Sequence, residues 1–336
     1  MRRILIIKHG ALGDIVLATP GFKAIREAYP DAHITCLTSR SFAPLLRPCP
    51  WFDAIEIDAK PRFFQLLKLW RLMRILNNVI ARNASDEAIQ IHSQKKNSGL
   101  LRFVRNDNTA FHAIFDLQTS TRSSFYWHLL RRPKPMFSGV NPRASHSYTD
   151  PARHGRHAHE NLQRQLAIAG IHNVSEPDIS WLAEEIALPP TPYTLLVPGG
   201  AAHRPQKRWP AEHYAQLAAQ LSNPVLIGTE AEREVLEAIT SAVPQAINLC
   251  GKTSIAQLAT LARGAQCAVG NDTGPMHVIA AAGCPSLVLF SADSSPERSA
   301  PVGSHVRTIQ RDDLKDLRVE EVLQRLDIPP HSQFTA

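Results

Sequence analysis

One pattern constrains this chain more than any other: short β-rich apolar runs alternate with longer runs of helical period, and the scheme is written twice. Strands alternating with helices fold as parallel sheets covered by helices. In the first half, strands are expected at Ile4–Lys8, His33–Leu37, Ala54–Ile57 and Ala113–Leu117, with helices over Ile15–Tyr29 and Phe63–Leu76. In the second half, strands are expected at Thr194–Val197, Pro224–Ile227, Cys267–Gly270 and Ser286–Phe290. The helices there should cover Ala211–Leu221, Glu230–Ala242, Ile255–Arg263 and Met276–Ala282. A length of 336 residues is comfortable for two domains, each with its own core. A loop-rich stretch near residues 139–192 joins the units, which predicts two facing domains with a cleft between them. Ligands of open α/β sheets bind beyond the carboxyl ends of the strands. Residues that carry chemistry should therefore follow strands.

Residues 79–108 break the pattern. They are polar, lack a clear period, and are too many for an ordinary connection inside a compact domain. The stretch resembles a translated dispersed bacterial repeat, which predicts a surface excursion without a catalytic role. A functional lid is the alternative.

The opening Met1-Arg2-Arg3 before Ile4–Ile7 looks like the start of a signal peptide. The apolar run is too short, meets Lys8-His9-Gly10, and is followed by no cleavage site. A buried first strand and a cytoplasmic protein are the expectation. No apolar run reaches the roughly 18–20 residues of a membrane span. The five cysteines, Cys36, Cys49, Cys250, Cys267 and Cys284, form no CxxC pair and have no histidine at zinc spacing, so they read as small buried residues. A net charge of +7 admits an anionic substrate, an anionic membrane surface or a nucleic acid. The last is disfavoured, because no recognition helix, zinc-finger spacing or aromatic-interleaved basic stretch is present.

Three segments could carry chemistry. Lys8-His9-Gly10-Ala11-Leu12-Gly13-Asp14 follows a strand, and its glycines allow a sharp turn. It fits neither the dinucleotide nor the P-loop fingerprint, and Asp14 read alone is equally an N-cap. Pro198-Gly199-Gly200 also follows a strand and precedes Lys207-Arg208-Trp209-Pro210. Exposed backbone N–H groups and paired cations before a helix suit a diphosphate, while a solvated basic loop is the plainer reading. Gly270-Asn271-Asp272-Thr273-Gly274-Pro275-Met276-His277 again joins strand to helix. Its N–H groups could meet an anion at a helix N-terminus, and Pro275 fits the first turn. Asp272 as a cap and His277 as a packed core residue are the simpler readings there.

Taken together, "GALGD…TP", "PGG…KRWP", "GTEAER" and "NDTGPMH" closely resemble glycosyltransferase family 9, the ADP-heptose:lipopolysaccharide heptosyltransferases. The resemblance covers nearly the whole chain apart from residues 79–108. It implies the GT-B fold, two Rossmann-like α/β domains facing across a cleft. On that basis residues 1–175 should form the acceptor-side domain and 190–312 the nucleotide-sugar domain. A C-terminal helix over 313–330 should pack back toward the first domain. The resemblance makes Asp14 the catalytic base and Lys207 the lysine that meets the donor's diphosphate and sugar. Glu230 becomes the carboxylate that holds the ribose, and Asp272, Thr273 and Gly274 the donor phosphate loop, with His277 behind. Gly199, Gly200 and Arg208 complete the donor set. The serines or threonines often found after Pro198 in relatives are missing here, so backbone N–H groups should replace their contacts. Acceptor contacts are expected at Lys8 and Gly13 beside Asp14, at Gln118 in Asp116-Leu117-Gln118-Thr119-Ser120, and at Arg143. No cofactor and no metal are implied.

Two further features need weighing. Lys68, Arg71 and Arg74 line one side of the apolar Phe63–Leu76 segment. It could rest on an anionic membrane, but docking on its own sheet is the stronger reading. His154, His157 and His159 lack a carboxylate at ligand spacing, so with Arg143, Arg153 and Arg156 they read as facing an anionic acceptor rather than a metal.

The expected reaction is inverting transfer of heptose from ADP-heptose to a lipid-linked acceptor, lipid A–Kdo, at the inner membrane surface. The alternatives are a GT-B transferase with another nucleotide sugar, a catalytically silent nucleotide-sugar binder, and a dehydrogenase lacking its glycine fingerprint.

Overall fold

The computed structural model describes residues 1–60, 66–77, 110–200 and 204–326. The expected excursion over 79–108 lies outside them. The first sheet contains β1 (Arg3–Ile7), β2 (His33–Ser39), β3 (Ala54–Asp58), β4 (Ala113–Asp116), β5 (Met136–Gly139) and β6 (His146–Ser147). The second contains β7 (Thr194–Val197), β8 (Pro224–Leu226), β9 (Ile247–Asn248), β10 (Cys267–Asn271), β11 (Ser286–Phe290) and β12 (Val306–Gln310). All pairings are parallel. The spatial orders are β3-β2-β1-β4-β5-β6 and β12-β11-β10-β7-β8-β9. Counted from its own first strand, each sheet follows the same doubly wound order, with the reversal between β1 and β4 or between β7 and β10. Ile4–Ile7 and Leu287–Phe290 are buried throughout, as parallel strands covered on both faces must be.

The first sheet is covered by α1 (Leu12–Ala28), the short α2 (Ala43–Leu46), α3 (Leu66–Leu76), α4 (Thr121–Leu129) and α5 (Ala158–Ile168). The second carries α6 (Ala211–Ala218), α7 (Arg233–Ala242), α8 (Ile255–Gly264), α9 (Gly274–Ala281), α10 (Pro296–Ser299) and α11 (Val319–Leu326).

Helix α1 starts three residues before the expected Ile15, so Asp14 lies inside its first turn. The Asp14 carboxylate accepts the Ala11 N–H at 3.0 Å, which draws the preceding chain into the turn. Pro20 sits within this helix and cannot donate to the Val16 carbonyl. The Thr19 hydroxyl takes its place at 2.8 Å. The expected helix from Glu230 is instead a 3₁₀ turn, Glu230–Glu232, followed by α7. There Glu232 accepts the Thr229 N–H at 2.8 Å and tightens the first turn.

The stretch near 139–192 is not all loop, because it holds β6 and α5. His157 caps α5, its Nδ1 accepting the His159 N–H at 3.1 Å, and Leu162 and Leu166 are buried. The expected C-terminal helix, 313–330, is present as α11. Among the described residues its strongest packing is on α6. Leu314, Leu317, Val319 and Val322 share a core with Trp209 and Tyr214, and the Trp209 indole donates to the Leu317 carbonyl at 2.9 Å. Residues 327–330 of that expectation lie outside the described residues.

The halves meet where α1 packs on α9. Asp178 in the connecting segment donates its N–H to Thr19 Oγ1 at 3.1 Å, and Arg263 holds the Ile179 and Leu182 carbonyls at 2.9 Å each. At the helix N-termini the approach leaves no room for side chains. A β-carbon on Gly13 would lie 2.7 Å from His277 Cδ2, and one on Gly274 would lie 2.9 Å from Leu12 Cβ. Gly274→Ala should therefore lower stability by about 1–3 kcal/mol, since overpacking there must move a backbone. Gly155→Ala, whose β-carbon would meet nothing closer than Ala152 O at 3.8 Å, is the control. Urea denaturation midpoints of the two variants check this, and equal values would refute it.

Candidate active site

Both strand-order reversals open onto one region. At the first, the chain leaves β1 through Lys8–Ala11 into α1, and β4 through Leu117–Ser120 into α4. At the second, it leaves β7 through Pro198–Gly200, and β10 through Asp272 and Thr273 into α9. A cavity of about 420 Å³ joins the halves, with Asp14, Thr119, Arg153 and Arg156 on one side and Arg204, Lys207 and Arg298 on the other. A cavity of about 170 Å³ lies in the first half, lined among others by Lys8, Gln118 and Gln165. Asp14, Thr119, Arg153 and Asn161 line both, so Asp14 stands where the two spaces meet.

On the second half, the loops converge on one buried amide. Asn271 Oδ1 accepts the Trp209 N–H at 3.0 Å and the Tyr214 hydroxyl at 3.1 Å. Its Nδ2 donates to the carbonyls of Pro198 at 2.8 Å and Gly199 at 3.0 Å. One side chain thus fixes the Pro198-Gly199-Gly200 loop, the Lys207–Trp209 segment and the start of α9. Lys207 Nζ pairs with Asp272 at 3.1 Å, both largely buried, and Arg208 donates to the Gly200 carbonyl at 2.5 Å. Thr273 is the N-cap of α9, whose first turn contains no acid. Gly199 lies against the Glu232 carboxylate, and a β-carbon there would overlap it.

On the first half, Lys8 is buried beneath the cavity, with Nζ donating to the Leu117 carbonyl at 3.0 Å. Burial lowers its pKa, opposed by the carboxylates of Asp14 and Asp116. Burial pushes Asp116 up to about 6, against contacts from the Ser123 hydroxyl and the N–H groups of Thr119 and Gln118. Those two N–H groups meet Asp116 Oδ1 at 3.2 Å each and hold Thr119 at a left-handed φ of 49°. A strained residue lining both cavities is the kind of feature functional sites retain. Gln118 Oε1 accepts the His9 N–H at 2.7 Å, and His9 Nε2 approaches Asp58 at 2.9 Å.

His277 is buried between the helix N-termini of both halves, and its Nδ1 has no hydrogen-bond partner among the described residues. Burial lowers its pKa to about 4, opposed by Asp272 and Asp14 and reinforced by His157. Gly13 presses on the His277 ring and contributes only backbone. Not every expected residue converges. Arg143 is exposed and lines neither cavity. Glu230 is exposed, paired with Arg233 at 2.5 Å, and rests against Gly251. His157 donates through Nε2 to the Ala300 carbonyl at 2.9 Å, bridging the halves. Among the described residues, no group of three His, Cys, Asp or Glu could hold a metal ion. The motif reading had singled out neither Asn271 nor the Ser294–Arg298 segment; each gains its meaning only from elements far away in sequence.

The family model for glycosyltransferase family 9 (heptosyltransferase) matches residues 107–326, more than half of the 336-residue chain. The chain is 27% identical over 319 residues to lipopolysaccharide heptosyltransferase 2 of Salmonella typhimurium, covering 92% of this chain and 88% of that protein. A family 9 glycosyl transferase structure from Veillonella parvula superposes with a TM-score of 0.71 at 22% identity, covering 96% of this chain and 95% of that one. E. coli heptosyltransferase WaaC with ADP gives 0.70 at 17% identity, covering 96% and 98%. At those identities the structures establish the fold, and the chain adopts the GT-B arrangement of two facing Rossmann-like units.

Two outcomes follow from this geometry. Asn271→Ala strands the Trp209 N–H and the loop carbonyls, and should cost about 2–4 kcal/mol in urea unfolding. His277 has a folded pKa of about 4, below its ordinary 6.5, so the unfolded chain binds the extra proton. Its contribution to stability is full above pH 6.5 and is lost as pH falls toward 4, by up to about 3 kcal/mol. His277→Asn should flatten that part of the stability profile, and an unchanged slope would reject the assignment.

Proposed function

This chain belongs to glycosyltransferase family 9, and from that premise we propose that it transfers heptose from ADP-heptose to the lipopolysaccharide inner core. The acceptor is the lipid A–Kdo end, the anomeric carbon is inverted, and no metal takes part. The observation that carries this reading is Asp14, standing at the junction of a cavity within the first half and a cation-rich cavity shared with the second. The acceptor hydroxyl enters from the first and the donor from the second. The names of its relatives, a lipopolysaccharide heptosyltransferase and a heptosyltransferase with ADP, support the choice of sugar and nucleotide.

Asp14 takes the acceptor's proton as that oxygen attacks the anomeric carbon, through a transition state of oxocarbenium character. The ADP leaving group gathers negative charge. Lys207, Arg208 and the N–H groups at Thr273 and Gly274 stabilise it, as preorganised donors do in a dry cleft. Gly199 and Gly200 let the backbone approach the phosphates, and Asp272 and His277 support that loop. Lys207 reaches the diphosphate by leaving Asp272, and Glu230 reaches the ribose by leaving Arg233. On the acceptor side, Gln118 borders the entering sugar, Lys8 sets positive charge beneath it, and Gly13 supplies backbone. Arg143 would engage only an acceptor long enough to extend beyond the two cavities.

Asp14→Ala should lower turnover about 10²–10⁴-fold, the ordinary worth of a general base, and leave nucleotide binding nearly intact. Transfer close to that of the unaltered protein would remove Asp14 from the role. Calorimetric titration with ADP, GDP, UDP and NAD in EDTA tests the donor. Selective binding of ADP, weakened in Lys207→Ala and Glu230→Ala, is expected. Preference for UDP or GDP would change the sugar donor, and binding of none would favour a silent protein.

A further inference from the structure

We propose that the outer face of α3 is a docking surface for an anionic phospholipid bilayer. The inference rests on reading the acceptor as lipid-linked, and adds the surface by which the protein would reach it. Helix α3 is amphipathic in two directions. Leu72 and Leu76 turn inward and enter the core formed with Leu5, Ile114 and Tyr126. Leu67, Trp70, Arg71 and Arg74 recur at the spacing of a single helical stripe. Leu67 is 84% exposed and Trp70 is 50% exposed.

Isolated exposed apolar residues mean little, whereas a grouping does. The large exposed apolar residues among those described are Met1, Leu67, Trp70, Phe125, Ile168 and Leu188. Half of these six, namely Leu67, Trp70 and Phe125, lie on α3 and α4, which pack together. The charge around them has one sign. The sequence of α3 contains Lys68, Arg71 and Arg74 and no acid. Arg74 lies over the Trp70 ring at 4.5 Å, so cation and indole stand together on the helix. Tryptophan and leucine at the apolar centre with basic residues beside them match the headgroup boundary of an anionic bilayer. A neutral protein partner has no use for that uniform charge. None of the described helices is long and apolar enough to cross a membrane, so the contact is interfacial.

The position suits the reading of the cleft. Helix α4 begins at Thr121, just after Thr119 of the cavities. Phe125 lies four residues further, about 6 Å along the helix axis. Helix α4 thus links the loop that borders the cavity to an exposed apolar residue on the element packed against α3.

Co-sedimentation of the full-length protein with vesicles tests this. One set contains phosphatidylglycerol with phosphatidylethanolamine, the other phosphatidylcholine alone. Binding to the anionic set, at least about tenfold weaker on the neutral set and reversed by roughly 0.5 M salt, is expected. Leu67→Glu with Trp70→Glu should lower anionic partitioning by roughly tenfold or more, and Arg71→Ala by roughly fivefold. Calorimetry with ADP on the same preparations should be unchanged, which shows that the variants fold. Equal binding to both vesicle sets, no binding to either, or undiminished binding by the double variant each overturns the inference. So does light scattering that shows the double variant converting a dimer to monomers, which would make a second copy the occupant. A protein that binds ADP but no vesicles loses only this inference. One that binds vesicles but no nucleotide loses the donor reading instead.

Discussion

The contact between the N-termini of α1 and α9 is the constraint on which the rest depends. Two helices from separate sheets meet end to end, and the meeting is possible because Gly13 and Gly274 carry no β-carbon there. That contact brings the reversal point of one sheet opposite the reversal point of the other. The same glycines that appear as loop punctuation in the sequence act in three dimensions as spacers of zero thickness. Buried against them, His277 is held neutral near pH 7, because burial disfavours its charged form.

The charges of the cleft fall into two groups. Arg156 is satisfied by Asp150 at 2.5 Å, Lys207 by Asp272, and Lys8 by a carbonyl. Arg153, Arg204 and Arg298 line the shared cavity with no acidic partner among the described residues. Paired cations hold the loops in place, while unpaired ones set the potential felt by an arriving anion. The net positive charge of the chain is thus concentrated, in part, where a phosphate-bearing ligand would be drawn in.

Much of this architecture was legible from the chain itself. The buried strands were marked by runs such as Ile4–Ile7 and Ser286–Phe290, because parallel strands covered on both faces must be apolar throughout. Short or edge elements were not. β5, β6, β9 and β12 have few residues and little apolar signal, and α5 is amphipathic with a mostly polar surface. The start of α1 is masked in the sequence because Gly13 and Asp14 look like loop residues. Tertiary contact with His277 and the bond to Ala11 make them helical. At the site, residues in the segments that follow strands, Asp14, Lys207 and Asp272, are visible as motifs. Asn271 as an organiser is not, since its four partners lie 57 to 73 residues away. Arg298 likewise reaches the cavity only through the folding of β11 and α10.

The two sheets share one strand order, so each offers the cleft the same fixture: a helix beginning just past a central strand. The fixtures differ in where their carboxylate sits, within the first turn of α1 as Asp14 or just before the N-cap of α9 as Asp272. Asp14 sits in the first turn of α1 and cancels the partial positive charge of that terminus, whereas the first turn of α9 holds no acid. A symmetrical frame is thereby given a direction. One wall of the cleft presents a carboxylate inside the first helical turn, the other a Lys207–Asp272 ion pair just outside it. An arriving ligand therefore meets two walls of unlike polarity.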